Sequence, residues 1–185
     1  MKITAGVDEV GRGSLMGPVY AAAVILNSSI DIKLLKDSKS IAKDKRELLS
    51  NYIKKNSTWA VGKASVKEID KINILQASLL AMKRAVKKLK IKPSHILIDG
   101  NKVPDLKNYN LKAVIKGDQK IPSISAASII AKVSRDKFIA ALAKNNNGYG
   151  WDQNFGYGTK KHLKAIKKLG ITKHHRKSFS PISSY

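Results

Sequence analysis

Ile3-Thr4-Ala5-Gly6-Val7-Asp8-Glu9-Val10, then Gly11-Arg12-Gly13-Ser14-Leu15-Met16-Gly17, then Pro18-Val19-Tyr20-Ala21-Ala22-Ala23-Val24-Ile25-Leu26: the reading of these three consecutive pieces decides the fold. Lys2–Asp8 is a short apolar run that ends in Asp8-Glu9 and reads as a strand. Pro18–Leu26 is apolar and partly β-branched, and it stops at Asn27-Ser28-Ser29, a turn signal. Only a glycine-rich stretch separates the two, so they are expected to pair as a hairpin.

Outward from this hairpin, Ile41–Lys55 carries the helical period, with Leu48, Leu49, Tyr52 and Ile53 on one side. Thr58–Val66 alternates loosely and reads as a third strand. Leu75, Leu79, Met82, Val86 and Leu89 form an apolar stripe that predicts a helix over Asn73–Leu89. Pro93 breaks the chain. His95–Asp99 and Leu111–Lys116 read as short strands, and Ser123–Lys144 as a helix. Thr159–Leu169 is a last helix, with Thr159 as N-cap and Gly170 as stop. This order predicts an α/β fold: one domain over residues 1–185, a central mixed β-sheet flanked by helices, and a C-terminal helical segment.

The chain has 185 residues, enough to bury a real core. Its 36 Lys and Arg against 13 Asp and Glu give a net charge of +23. Such an imbalance self-repels without an anionic partner, and nucleic acid is the first candidate. Cysteine is absent, which excludes disulfides and thiolate metal sites. The longest apolar run, Val19–Leu26, is far short of the ~20 residues a membrane span needs. With no export signal in view, the cytoplasm is the expected compartment and no membrane partner is expected.

Most of the acidic residues sit in lysine-rich polar stretches. Four differ. Asp8 and Glu9 end one apolar run, Asp99 ends Ile96-Leu97-Ile98, and Asp118 follows Val114-Ile115-Lys116-Gly117. Strand-end carboxylates commonly cap turns. Four of them in a strongly basic chain point instead to a shared site, where crowded charges are relieved by a hard divalent cation. An all-oxygen donor set suits Mg²⁺ or Mn²⁺. Adjacent strand residues face opposite ways, so Asp8 and Glu9 can share a site only if the strand ends or bends there.

Four of the eleven aromatics crowd into one stretch: Tyr149, Trp151, Phe155 and Tyr157. Phe155 reads as core. Tyr157, between two glycines, reads as an exposed and mobile ring suited to stacking on a sugar or base. After Asp152 no acidic residue follows, while Lys160, Lys161, Lys164 and Arg176 are among eight basic ones. That reads as a phosphate-tracking surface, which makes residues from about 145 to 185 a substrate-contacting segment. The histidines lack metal spacing, and His175 reads as structural.

Together these residues resemble the type 2 ribonuclease H (ribonuclease HII) family. Gly6-Val7-Asp8-Glu9-Val10-Gly11-Arg12-Gly13 with Gly17-Pro18-Val19 is similar to its opening motif. Asp37-Ser38-Lys39, Ile98-Asp99-Gly100, Lys116-Gly117-Asp118 through Arg135-Asp136, and Gly156-Tyr157-Gly158-Thr159 with His175-Arg176 are similar to the motifs that follow. Val10 stands where alanine is usual.

The resemblance implies a ribonuclease H-like fold and cleavage of the RNA strand of RNA/DNA hybrids. It further implies incision beside single ribonucleotides embedded in duplex DNA. The resemblance places metal ligands on Asp8, Glu9, Asp99 and Asp118, with Asp136 as an accessory. The carboxylate set, with no side-chain nucleophile in view, suggests two-metal-ion catalysis, and a monomer is expected. The residues themselves suggest substrate contacts: the open backbone of Gly11, Arg12 and Gly13, Lys39 for a phosphate, and Tyr157 for stacking. Three alternatives stay open: a non-catalytic basic RNA-binding protein, a type 3 ribonuclease H, and a junction-resolving enzyme of the same fold.

Overall fold

The computed structural model describes residues 3–35 and 42–185. The two opening strands, β1 (Thr4–Val10) and β2 (Val19–Leu26), pair antiparallel as the hairpin expected. Helix α1 (Lys43–Lys55) follows, then β3 (Ser57–Ala64), which adds antiparallel to β2. Helix α2 (Val66–Lys87) leads to β4 (His95–Asp99) and β5 (Asn110–Val114). β4 lies parallel to β1 and β5 parallel to β4, giving a mixed sheet ordered β3-β2-β1-β4-β5. The rest is helical: α3 (Gly117–Lys120), α4 (Pro122–Ala143), α5 (Trp151–Asn154) and α6 (Lys160–Leu169).

The two-residue period of the strands sends alternate side chains to two separate cores. Val7, Ala21, Ala23, Ile96 and Ile98 pack with Ala77, Ala81, Met82 and Ala85 of α2. Ala22 and Val24 pack with Ala126, Ala127, Ile129 and Ile130 of α4 on the other face. Both helices sit unusually close. A Cβ on Gly6 would lie 2.2 Å from the backbone carbon of Ser123, and one on Gly62 would lie 2.2 Å from the Ala81 carbonyl. Helix α4 thus rests on the backbone of β1 itself.

A third cluster joins Leu15 and Met16 of the glycine-rich loop to Ile139, Tyr149, Trp151, Ile166 and Ile182. It pins the C-terminal segment onto the end of α4. Isolated bridges Ser14↔Tyr157 and Met16↔His175 complete the attachment.

One helix and one strand differ from expectation. The second helix begins at Val66, where Ser65 and Glu68 form a capping box. Asn73 has φ 64° and interrupts it, then caps the next turn by accepting from the Gln76 N–H at 3.1 Å. The expected Asn73–Leu89 is therefore the second segment of a kinked element. The strand expected to reach Lys116 stops at Val114, because Lys116 turns to φ 55° and opens α3.

Candidate active site

Parallel strands β1 and β4 end side by side, and their carboxyl ends carry acid groups. In their register Val7 lies beside Ile98, so Asp8 and Asp99 come next on the same edge. Both face α4: Asp8 shares its strand face with Gly6, and Asp99 with Leu97. α3, just past β5, brings Asp118. These three, with Glu9, wall a cleft of about 330 Å³ that also takes in Arg46, Ser128 and Lys132. Such a crevice beyond the carboxyl ends of parallel strands is where open α/β sheets bind ligands.

Glu9 alternates to the opposite face from Asp8, yet lines the same cleft, because β1 ends one residue later and Gly11 turns the chain at φ 92°. Arg12 holds one Glu9 oxygen at 3.3 Å. The other, Oε2, is buried and has no hydrogen-bond partner among the described residues. Asp8 Oδ1 accepts from the Glu9 N–H at 2.7 Å, and Asp99 Oδ1 from the Gly117 N–H at 2.7 Å. Burial, with Glu9 and Asp99 nearby, raises the Asp8 carboxyl well above its usual range. Burial also raises Glu9, against the pull of Arg12.

These features fit a hard cation. The donors are all oxygens, one buried oxygen is orphaned, and crowding makes the ionised state costly without a counter-charge. Among the described residues no three such groups are closed around one point. The acids line the walls of an open crevice, each steadied by neighbouring donors.

The remaining expected residues divide. Asp136 lies one turn past Lys132 on α4 and pairs with that ammonium at 2.9 Å, outside the cleft wall. Lys39 lies outside the described residues. Gly11, Arg12 and Gly13 form the rim beside Glu9. Tyr157 is half-buried rather than freely exposed. It bridges Ser14, and the His162 ring nitrogen Nδ1 meets its carbonyl at 2.9 Å. Because His162 Nε2 accepts from Trp151 Nε1 at 2.9 Å, Nδ1 is the protonated nitrogen and donates to Tyr157. Lys160, Lys161 and Lys164 are exposed, as a phosphate-tracking face requires.

Arg176 requires correction: it is fully buried and tracks no phosphate. It donates from Nη2 to the Gly11 carbonyl at 2.7 Å, from Nη1 to Arg12 at 2.8 Å and from Nε to Gly17 at 2.9 Å. Arg135 is equally buried. It donates to Ser14 Oγ at 2.7 Å and to the carbonyls of Phe155, Met16 and Pro18 at 3.0–3.1 Å. The sequence did hold a signal: only five of the 36 basic residues are arginines. A chain this rich in lysine keeps arginine where a planar fork of donors is needed.

Residues 5–182 match the ribonuclease HII family model. The chain belongs to the ribonuclease HII family. It is 80% identical to the ribonuclease HII of Pelagibacter ubique (strain HTCC1062) over 183 residues, covering 99% of this chain and 98% of that one. The ribonuclease H2 structure from Pyrococcus horikoshii OT3 superposes with a TM-score of 0.81 at 28% identity, over 98% of this chain and 95% of that one. Bst-RNase HIII in complex with Mn²⁺ has a TM-score of 0.76 at 19% identity, over 98% of this chain and 68% of its own, and shares the fold. As a ribonuclease HII this chain is a ribonuclease H, an endoribonuclease of RNA/DNA hybrids. The non-catalytic alternative falls with that. No helix among the described residues is long and apolar enough to cross a membrane.

Proposed function

We propose that the cleft cleaves the RNA strand of hybrids and also incises beside a single ribonucleotide in duplex DNA, by two-metal-ion catalysis. The observation that carries this is the buried Glu9 Oε2, without a hydrogen-bond partner among the described residues, in a crevice walled by Asp8, Asp99 and Asp118. Those four residues would hold Mg²⁺ or Mn²⁺. Mn²⁺ is the ion in the related Bst-RNase HIII complex. When bound, the ions supply activation of the attacking water and relief of charge on the phosphate. Asp136, taken by Lys132, is at most an outer support.

The chain's own residues do the rest. Asp99, a lining residue of the crevice, is oriented through Oδ1 by the Gly117 N–H. Arg12 steadies Glu9 and leaves Oε2 free. A metal site cannot tell RNA from DNA, because the phosphates are alike; the 2′-OH must be read by compact donors and acceptors. Gly11-Arg12-Gly13 stands at the cleft rim for this, with Tyr157 bridged to the same loop through Ser14. The exposed lysines of α6 track the duplex backbone, which gives residues 145–185 their substrate-contacting role. The enzyme acts as a cytoplasmic monomer.

The test is cleavage of a DNA duplex holding one ribonucleotide, with Mg²⁺, Mn²⁺ or EDTA. Cleavage is expected with either ion and not with EDTA. It should vanish when the ribose is 2′-deoxy or 2′-O-methyl, with duplex affinity barely changed. Equal cutting of all-DNA duplex would refute the reading and favour a junction-resolving activity.

A further inference from the structure

Two guanidiniums are buried completely behind the cleft rim, and among the described residues neither lies within ion-pair distance of a carboxylate. A buried cation without a counter-charge is costly unless its donors are met. Here they are met by main-chain oxygens of one loop. Arg176 engages the carbonyls of Gly11, Arg12 and Gly17, so its rigid fork ties both ends of the loop to one plane. Arg135 engages Ser14, Met16 and Pro18, between and just beyond those points.

A trans peptide points its C=O and the following N–H in opposite directions. With the Gly11 and Arg12 carbonyls turned inward to Arg176, the N–H groups of Arg12 and Gly13 are turned outward. Both residues are exposed, and neither N–H has an acceptor among the described residues. The loop therefore presents two fixed, unspent donors beside Glu9.

We propose that Arg176, seconded by Arg135, is a positioning residue for substrate discrimination: it sets the peptide planes whose outward N–H groups read the nucleotide at the cleft. It rests on the ribonucleotide reading above. Arg176 touches no substrate; it acts through Gly11 and Arg12. Lysine cannot replace it, because a point ammonium cannot serve three carbonyls in one plane.

The experiment compares Arg176→Lys with Gly13→Ala, the double variant and Arg84→Lys on a duplex with one ribonucleotide. Arg84→Lys breaks the Arg84–Glu68 fork on α2 and serves as the stability control. Turnover by Arg176→Lys should fall about 10²-fold, the scale of a small misplacement at a reacting centre. Duplex affinity should hold, and the loss should be non-additive with Gly13→Ala. A loss no larger than that of Arg84→Lys, or one that adds fully to Gly13→Ala, overturns the proposal. If Arg176→Lys does not fold, backbone ¹⁵N relaxation of the wild type decides. Order parameters near ~0.85 at Arg12 and Gly13, with amides open to exchange, support a fixed donor pair; values below ~0.6 overturn it. If the wild type leaves the ribonucleotide duplex intact, the underlying reading fails. If it cuts and Arg176→Lys cuts equally, only the positioning role fails.

Discussion

Gly11→Ala and Gly13→Ala lie two residues apart and should behave in opposite ways. Gly11 has φ 92°, and a Cβ there would fall 2.2 Å from Nε of Arg135. That side chain cannot swing aside, because it is fully buried and holds four acceptors. The conformational penalty is about 1–2 kcal/mol and the overpacking about 1–3 kcal/mol. Together, about 2–5 kcal/mol lowers the melting temperature of a chain this size by roughly 4–20 °C. A Cβ on Gly13 would meet no atom within 4 Å, and its backbone lies outside the left-handed region. Its replacement should change stability by less than ~0.5 kcal/mol. The new methyl instead meets the substrate side of the rim, where displacement costs about 10²-fold in rate. Thermal unfolding and single-turnover cleavage of the ribonucleotide duplex, measured on both variants, separate the two effects. Wild-type cleavage by Gly13→Ala would refute the backbone reading of the nucleotide. An unchanged melting temperature in Gly11→Ala would refute the packing against Arg135.

Asp8→Asn should abolish cleavage and leave duplex binding intact or stronger, as gel-shift and cleavage assays can check. Asp8 has a folded pKa raised above its unfolded value, so the stability it lends at low pH is lost as pH rises through the folded pKa. Metal-free wild type should therefore melt lower than metal-free Asp8→Asn at pH 8, and wild-type turnover by the variant would sink the site. His175 has the opposite sign: burial beside His162 pushes it down to about 4. Its stabilising share is whole above about 6.5, its unfolded value, and is lost as pH falls through 4, so His175→Gln should flatten the acid limb of the melting profile. Duplex affinity should fall with salt at a slope of about −0.9 per phosphate neutralised. A flat plot would show that the +23 charge is no binding footprint.

The strands were legible because their signals are local. Apolar runs closed by Asp8-Glu9 and Asp99 gave β1 and β4, and the strand ends gave the carboxylates. Thr159 and Gly170 marked the ends of α6, and both cap it. The kink in α2 is hidden in the sequence, since Asn73 resets the helical phase and the apolar stripe lies beyond it. Ser65-Val66-Lys67-Glu68 was a readable capping box that would have found the first segment. Short α3 and α5 have too few residues to show a period. Glu9's place in the cleft depended on where β1 stops, which Gly11 hinted at and tertiary contacts decided. Arg176 reads as solvated because its neighbours are lysine-rich, whereas its burial is a property of the partner loop, not of the local sequence.

The tie between Arg176 and the loop at Gly11–Gly17 also orders events in time. A growing polypeptide has made every carboxylate of the cleft by the time Asp118 is added. The fork that sets the rim arrives much later, with the segment that carries Trp151 and α6. The cleft wall itself waits for α4, which supplies Ser128 and Lys132, and the rim waits longer still for Arg176. On the proposed reading, the means to choose a ribose is complete only when the segment carrying Arg176 packs back onto the Gly11–Gly17 loop.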